Sequence, residues 1–469
     1  MPRPLPLLRF GTDGVRGVAN TELTPEFALS LGRAAARVLG GSAFVVGRDT
    51  RRSGPLLSAA FCAGLMSEGI DVIDLGVLPT PGVAWVSAHL GVPAAMISAS
   101  HNPYADNGIK LFSAGGRKLP DAVEESIESL LADGLGGHGP NGDGPNGRDR
   151  HGDGPNGRGA NVGGPNVGTS RTAATDLVGG YANALFASIQ GRLLSGLKVV
   201  VDCANGAASV IGPAVLTRLG ATVIAIHDDP NGTNINDGCG STHPSSLQAA
   251  VVAAGADAGL AFDGDADRVL AVDHTGALVD GDQLLAMNAI DLRNRGRLTH
   301  DTVVVTVMSN LGFKRAMASV GIDVIVTQVG DRYVLDAMSA GGFILGGEQS
   351  GHVIFADHAT TGDGLLTGIA TLDTIVRTGR PLHDHAALVT RYPQVLRSVQ
   401  GVDRSRLPGA QRLWAEVAIV EAEFGEDGRV NVRPSGTEPV VRVMVEAPTA
   451  AQAEAACARL CEVVGRELG

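Results

Sequence analysis

Strand-like and helix-like segments alternate along most of this chain, and that alternation restricts the folds open to it. Pro25 begins a segment of helical pattern that ends before Gly40, and a short apolar strand at 43–46 follows. A second helix at 56–68 precedes a second strand at 71–75. Repeated alternation of strand and helix is typical of α/β folds with a mainly parallel sheet.

The chain is long enough for several such units. A length of 469 residues predicts about three or four domains. The sequence pattern places them at residues 1–171, 172–276, 277–385 and 386–469. The last unit pairs alternating strands with an Ala/Glu-rich helix from about residue 450.

Residues 134–168 interrupt the first unit. Gly-Pro-Asn recurs there at 139, 144, 154 and 164, with almost no apolar side chains between the repeats. Such a segment cannot bury enough surface to offset its ordering entropy. We therefore predict a disordered surface insertion with no part in the chemistry, because it follows a helix and not a polar loop.

Composition excludes some partners. A formal net charge of −12 argues against nucleic acid or an anionic membrane as the main partner, although a local arginine cluster could still bind an anionic substrate. No apolar run approaches the about 20 residues of a membrane span, and the first residues lack a signal-peptide pattern. Few, odd and scattered cysteines indicate a reduced, cytoplasmic protein. They are Cys62, Cys203, Cys239, Cys457 and Cys461. Two of them, Cys457 and Cys461, lie four apart on a predicted helix with no nearby histidine, so packing explains this pair better than a zinc site.

A serine-rich turn follows one apolar strand. Residues 92–97 are apolar, and Ser98 and Ser100 come next, before the chain turns at Asn102–Pro103. A serine in this position can present its hydroxyl to a cleft. Because these residue types are also ordinary in turns, the stretch alone is equally compatible with a structural turn.

Three carboxylates follow another apolar strand, at 258–262. Asp263, Asp265 and Asp267 stand at alternate positions, and like charges so close are costly to bury unpaired. They suit a divalent cation that prefers hard oxygen ligands. A solvated acidic turn is the alternative, which the apolar preceding strand disfavours.

Two further polar loops lie in the second half of the chain. Glu348, Ser350 and His352 offer the alternating donors and acceptors that suit sugar hydroxyls, although a plain turn explains them as well. The second loop could hold a phosphate, because two guanidinium groups flank hydroxyl and amide donors. Its residues are Arg433, Ser435, Gly436, Thr437 and Arg442.

In their order and amino-acid sequence these loops resemble the signatures of the α-D-phosphohexomutase superfamily. The resemblance covers nearly the whole chain and is strongest to the branch that acts on amino-sugar phosphates. The matching stretches are residues 10–17, 97–103, 234–243, 263–268, 329–334, 346–352 and 433–439. Two departures are the insertion and Ala266, where the family often has glycine; a methyl group there should be tolerated if the backbone angle is ordinary.

The resemblance implies a fold and a set of roles. It implies three α/β domains with mixed, mainly parallel sheets and a C-terminal α+β domain around a central cleft. Ser100 would be the phosphorylated serine and would hold Mg²⁺ together with Asp263, Asp265 and Asp267. The resemblance also implies catalytic roles for Lys110 and Arg16, in proton transfer or phosphate contact. The residues implied to bind substrate are Glu348, Ser350, His352, Arg433, Ser435, Gly436, Thr437, Arg442 and Arg268.

The implied reaction interconverts glucosamine 6-phosphate and glucosamine 1-phosphate through a phosphoserine enzyme and a bisphosphate. The sequence also leaves open a mutase for glucose or mannose phosphates, a metal-dependent phosphatase with a serine nucleophile, and a non-catalytic sugar-phosphate sensor. The phosphatase would leave the arginine loop without a role, and the intact Ser100 and aspartates argue against the sensor. A sugar phosphate is the expected partner, and a homodimer is left open.

Overall fold

The computed structural model describes residues 8–11, 14–133, 167–172, 175–435 and 439–469. The predicted insertion at 134–168 lies outside these ranges except for its last two residues. Within them, the first helix begins and ends where the sequence signals predict. Thr24 accepts a hydrogen bond from the Phe27 amide at the start of the first helix, and Gly40 ends that helix at φ +62.

The first domain is built on a mixed sheet. Its strands are β1 Val15–Val18, β2 Ala43–Arg48, β3 Asp71–Val77, β4 Ala94–Ile97, β5 Asp106–Ser113, β6 Arg117–Lys118 and β7 Ser170–Thr172. Its helices are α1 Pro25–Leu39, α2 Gly54–Ser67, α3 Thr80–Leu90 and α4 Asp121–Ala132. The order is β1-β5-β4-β2-β3-β7, with β6 beside β5. Strands β4, β2, β3 and β7 are parallel, whereas β5 is antiparallel to β1 and β4.

The second domain repeats this plan. Its helices are α5 Thr175–Ser188, α6 Ala208–Arg218 and α7 Ser245–Ala254, and its strands are β8 Lys198–Asp202, β9 Thr222–Ile226, β10 Ala258–Phe262, β11 Val269–Asp273 and β12 Leu278–Val279. The order is β12-β11-β10-β8-β9. Because β12 pairs with β11, this sheet continues past the boundary predicted at 276. The predicted boundaries themselves stay predictions.

The third domain has a smaller mixed sheet. Its helices are α8 Gly281–Asn294, α9 Leu311–Ser319, α10 Asp331–Gly341, α11 Gly364–Thr378 and α12 Leu382–Ala386, and its strands are β13 Thr302–Thr306, β14 Asp323–Thr327, β15 Leu345–Gly347 and β16 Val353–Phe355. The order is β14-β13-β15-β16, and only β16 is antiparallel to its neighbour.

The fourth domain differs, because its sheet is antiparallel throughout. Strands β17 Gln394–Val399, β18 Arg429–Pro434 and β19 Val441–Glu446 form the order β17-β19-β18, and helices α13 Gln411–Phe424 and α14 Ala450–Leu468 complete the domain. Three α/β domains and a C-terminal α+β domain confirm the predicted fold class. A search of the described residues finds no helix long and apolar enough to cross a membrane.

Candidate active site

The serine loop begins where β4 ends and is held in a strained conformation. Ser100 adopts φ +52, in the left-handed region that residues with a side chain rarely occupy. Its amide donates to Ser98 Oγ at 2.9 Å, and Ser98 Oγ donates to Asp49 Oδ2 at 2.7 Å. The side chain of Ser98 therefore supports the loop, while the hydroxyl of Ser100 takes no part in these hydrogen bonds.

A fully buried arginine holds this loop through hydrogen bonds to its carbonyl oxygens. Arg51 is 1% exposed, and its Nε lies 2.9 Å from Asp49 Oδ2. Its Nη2 donates to the carbonyl oxygens of Ser100 at 2.9 Å and Asn102 at 2.8 Å. Asn236 Nδ2 donates to the same two oxygens, at 2.9 and 3.0 Å. The first and second domains thus share the task of placing Ser100.

The acidic loop after β10 meets the serine loop directly. Ser100 Oγ donates to Asp263 Oδ2 at 2.6 Å. The nearest carboxylate oxygens of Asp263, Asp265 and Asp267 lie within 4.8 Å of one another. A Cβ at Gly264 would stand 2.6 Å from the Ser100 carbonyl oxygen, so glycine is needed for the two loops to approach this closely.

The carboxylates of this loop are buried and incompletely paired. The Oδ1 atoms of Asp265 and Asp267 are buried without a hydrogen-bond partner. Burial, with the charges of Asp267 and Asp265, raises the pKa of Asp263 well above its ordinary value. Burial also works to raise the pKa of Asp267, but the charges of Lys110 and His352 outweigh it and hold that pKa well below its usual range. Such a set of hard oxygen donors fits a divalent cation.

Lys110 and His352 stand on two sides of the acidic loop. Lys110 Nζ lies 3.3 Å from Asp267 Oδ2 and 3.9 Å from Asp265 Oδ2. His352 is 2% exposed, with Nδ1 3.6 Å from Asp267 Oδ2 and Nε2 3.4 Å from Asp331 Oδ2. Lys110 thus contacts the acidic loop that meets Ser100. His352 lies behind Asp267, so its contact with a sugar stays a prediction.

Positive charge borders the serine loop. Arg16 on β1 lies opposite Gly108 of β5, and Arg268 Nη1 lies 3.3 Å from His101 Nδ1. Burial, with the charges of Arg268 and Arg16, lowers the pKa of His101. Both predicted arginines are therefore near the residue that follows Ser100, where they could contact a phosphoryl group.

The predicted sugar loop lines an open cleft. Ser350 Oγ donates to Glu348 Oε2 at 3.4 Å, and the Gly330 amide donates to Glu348 Oε1 at 3.2 Å. The cleft encloses about 1100 Å³ of open space and is lined by Arg268, Glu348 and Ser350 among others. A sugar phosphate could therefore contact the metal loop and the sugar loop at once.

The predicted phosphate loop brings two arginines face to face. Arg433 on β18 lies directly opposite Arg442 on β19, and like charges in this position destabilise a sheet. Burial, with the charge of Arg442, lowers the pKa of Arg433. A bound anion would relieve this repulsion. Ser435 is buried beside them, and Arg404 donates to its carbonyl oxygen. Gly436 and Thr437 lie outside the described residues.

Several residues of the site had no predicted role. Thr80 Oγ1 donates to Asp265 Oδ2 at 2.6 Å, and Asp49, Arg51 and Asn236 hold the serine loop. A signal existed for Asp49 and Arg51, which directly follow β2 in a polar Gly-Arg-Asp-Thr-Arg turn. Their contacts with Ser98 and Ser100 lie on the loop after β4, so the turn alone did not identify them.

The backbone at Ala266 departs from what we expected. This alanine adopts φ +56, not an ordinary angle, and its side chain is fully buried. The left-handed conformation costs an alanine about 1 kcal/mol. Hydrogen bonds from the Ala266 amide to the Asp263 carbonyl, at 3.1 Å, and from the Gly364 amide to the Ala266 carbonyl, also at 3.1 Å, hold it there.

Comparison with known proteins covers the whole chain. Residues 7–135, 180–276, 280–392 and 393–463 match, in turn, the alpha/beta/alpha domains I, II and III and the C-terminal domain of phosphoglucomutase/phosphomannomutase. A phosphoglucosamine mutase of Frankia casuarinae is 54% identical over 468 residues, which is 97% of each chain.

Solved structures show the same fold. A phosphoglucomutase/phosphomannomutase family protein of Burkholderia thailandensis has a TM-score of 0.79 at 24% identity, over 100% of this chain and 99% of that one. The N-acetylphosphoglucosamine mutase of Aspergillus fumigatus, in complex with GlcNAc-6P and magnesium, has a TM-score of 0.68 at 18% identity, over 98% and 96%.

Proposed function

Because the chain belongs to the phosphoglucomutase/phosphomannomutase family and is a mutase, we propose that it interconverts glucosamine 6-phosphate and glucosamine 1-phosphate. The observation that carries the proposal is the buried contact of 2.6 Å between Ser100 Oγ and Asp263. It brings a serine hydroxyl, which can act as a nucleophile, against a carboxylate of the acidic loop.

Two phosphoryl transfers at Ser100 account for the reaction. First, the bond from phosphorus to Ser100 Oγ breaks as a bond to the sugar O1 forms, and the O1 proton passes through Lys110 to the departing Ser100 oxygen. The bisphosphate then reorients. Finally, the bond from phosphorus to O6 breaks as a bond to Ser100 Oγ forms, and the Ser100 proton passes through Lys110 to O6.

A divalent cation, which we propose to be Mg²⁺, would be held by Asp263, Asp265 and Asp267 together with a phosphate oxygen on Ser100. When bound it withdraws negative charge from the transferring group. The Oδ1 atoms of Asp265 and Asp267, which are buried without a hydrogen-bond partner, support this assignment. We assign Arg16 and Arg268 to contact with the same phosphoryl group.

The remaining predicted residues hold the substrate. We assign Glu348 and Ser350 to the sugar hydroxyls. We assign His352 to the same hydroxyls, although it lies next to Asp267. The phosphate that is not reacting would bind to Arg433 and Arg442, with Ser435, Gly436 and Thr437 as additional donors. Separate sites for the reacting and the non-reacting phosphate suit a mutase, because the bisphosphate reorients and each phosphate must then bind at the other site.

Cellular setting and assembly are further proposals. All five cysteines are free thiols, which supports a reducing, cytoplasmic location. A homodimer stays a prediction.

The test is a steady-state assay on matched substrates. Purified protein, primed with a hexose bisphosphate, is given glucosamine 6-phosphate, glucose 6-phosphate or mannose 6-phosphate, and phosphosite mapping locates the phosphate. We expect kcat/KM at least about tenfold higher for the amino sugar, because a site built to bind a polar group rejects substrates that lack it. Equal or higher values for glucose or mannose phosphates, or release of inorganic phosphate faster than isomerisation, would overturn the proposal.

A further inference from the structure

A second cluster of metal-binding side chains lies in the second domain and has no part in the proposed reaction. Asp202 ends β8, His227 directly follows β9, and Cys239 lies on a later loop. Their nearest ligand atoms lie within 4.8 Å of one another. Strands β8 and β9 are parallel neighbours, so their carboxyl ends bring these loops to one edge of the sheet.

We propose that Asp202, His227 and Cys239 bind a divalent transition-metal ion of the Zn²⁺ class. Thiolate and imidazole are ligands that Zn²⁺ and Co²⁺ prefer, whereas Mg²⁺ favours oxygen donors. The ligand chemistry therefore distinguishes this cluster from the three aspartates of the active site. Cys239, for which the sequence predicted no role of its own, gains a chemical role from side chains remote in sequence.

The geometry of the imidazole supports a shared ion. His227 Nδ1 lies 3.1 Å from Asp202 Oδ1, yet this buried nitrogen makes no hydrogen bond. If both atoms lie about 2.1 Å from one ion, their separation corresponds to a ligand–metal–ligand angle of about 95°. This angle lies within the range of metal coordination angles. The separation thus suits two ligands of one metal.

A second layer of hydrogen bonds orients the ligands. Asp202 Oδ1 accepts from the Ala204 amide at 2.9 Å, and Asp202 Oδ2 accepts from the Gly240 amide at 2.9 Å. Asn205 Nδ2 lies 3.9 Å from Cys239 Sγ. Hydrogen-bonded ligands of this kind are typical of metal sites. The side chain of His227 is 31% exposed, which leaves an entry path and room for water as a further ligand.

The same loops connect the cluster to the serine loop. The Asn205 amide donates to the His227 carbonyl at 2.6 Å, and the Asn236 amide donates to the Ala204 carbonyl at 2.9 Å. Asn236 in turn holds the Ser100 carbonyl. A metal that joins these loops would restrain the segment that places Ser100. Any effect of this restraint on catalysis rests on the proposed function, whereas metal binding by the cluster does not.

Metal-free full-length protein in excess Mg²⁺ is titrated with Zn²⁺ by equilibrium dialysis, and with Co²⁺ to detect a thiolate-to-cobalt charge-transfer band. The variants are Cys239→Ser and His227→Asn, since asparagine tolerates the φ of +48 at this position. Asp265→Asn and Cys62→Ser are matched controls, because they alter the active-site carboxylates and a thiol of another domain. Thermal unfolding without metal shows that each variant folds.

We expect wild type and both controls to bind one Zn²⁺ per chain and to show the cobalt band. Cys239→Ser should lose the band, and both cluster variants should bind Zn²⁺ at least about tenfold more weakly, as loss of a ligand predicts. Zn²⁺ binding that survives in Cys239→Ser but is lost in Asp265→Asn would place the ion at the aspartates and overturn the proposal. So would wild-type protein without a thiolate band.

Discussion

The two ends of the cleft are built differently. The first three domains share one continuous apolar core, which includes Val45, Phe262 and Phe313. The fourth domain has a separate core, which includes Leu413, Val443 and Leu460. The serine and acidic loops therefore belong to the larger shared body, and the arginine pair belongs to the smaller one.

The junction of the smaller body is polar. Arg429 donates to the carbonyl oxygens of Val307 and Ser309, at 2.9 Å each, and pairs with the buried Glu446. Glu446 also accepts from the Leu311 amide at 3.0 Å. Domains joined in this manner commonly move relative to each other. Under the proposed roles, Ser100 belongs to the large shared body, which we expect to be rigid, whereas the non-reacting phosphate would bind to a unit whose polar junction allows it to adjust to the substrate.

Ser100→Ala tests the rigid end and should have the largest effect. Removing the nucleophile should lower mutase turnover at least about a thousandfold, as in other enzymes that lose theirs. Thermal unfolding should be unchanged, because no cavity of note is created. The control is Ser126→Ala on exposed α4. Turnover within a few-fold of wild type would show that Ser100 carries no phosphoryl group.

Asp265→Asn tests the cation site at the same end. A neutral amide is a poorer ligand for a hard cation, so Mg²⁺ affinity and turnover should fall together by about a hundredfold. Metal titration and steady-state kinetics measure the two quantities, with exposed Asp229→Asn as control. Unchanged Mg²⁺ affinity would reduce the acidic loop to a structural turn.

Arg51→Lys tests whether rigidity itself matters, because Arg51 does not touch the substrate cleft. Lysine keeps the charge but cannot donate to several carbonyl oxygens at once. Displacing Ser100 by about 1 Å should lower kcat about thirtyfold with little change in KM. Exposed Arg52→Lys is the control. An unchanged kcat in folded protein would mean that Asn236 and Ser98 suffice to place the loop.

Arg442→Lys tests the adjustable end and should have the smallest effect. Lysine cannot reproduce the bidentate fork, so KM for the sugar phosphate should rise about tenfold and kcat should fall by less. Mg²⁺ affinity should stay as it is, since the aspartates are on another domain. Arg412→Lys, exposed in the same domain, is the control. A wild-type KM would remove the arginine pair from substrate binding.

Much of this comparison could be predicted from the sequence. The strands at 222–226 and 258–262 have the bounds that their apolar patterns predict, because strand periodicity and flanking turn residues are local properties. The chemistry of the four polar loops was predicted from their residues taken together, because a plain turn also explained the serine loop and the Glu348 loop when each was considered alone. The loop at 436–438 lies outside the described residues, so the full set of donors around the arginine pair stays a prediction.

The sequence by itself determined the alternation of elements, the residue types of each loop and hence the class of chemistry. Tertiary structure decided that Arg51 and Asn236 hold Ser100, that Ala266 takes a left-handed backbone, and that His227 meets Cys239. These features depend on strand order and on which loops share a sheet edge. Such contacts join residues far apart in the chain, and no local pattern of hydrophobicity or turn propensity specifies them.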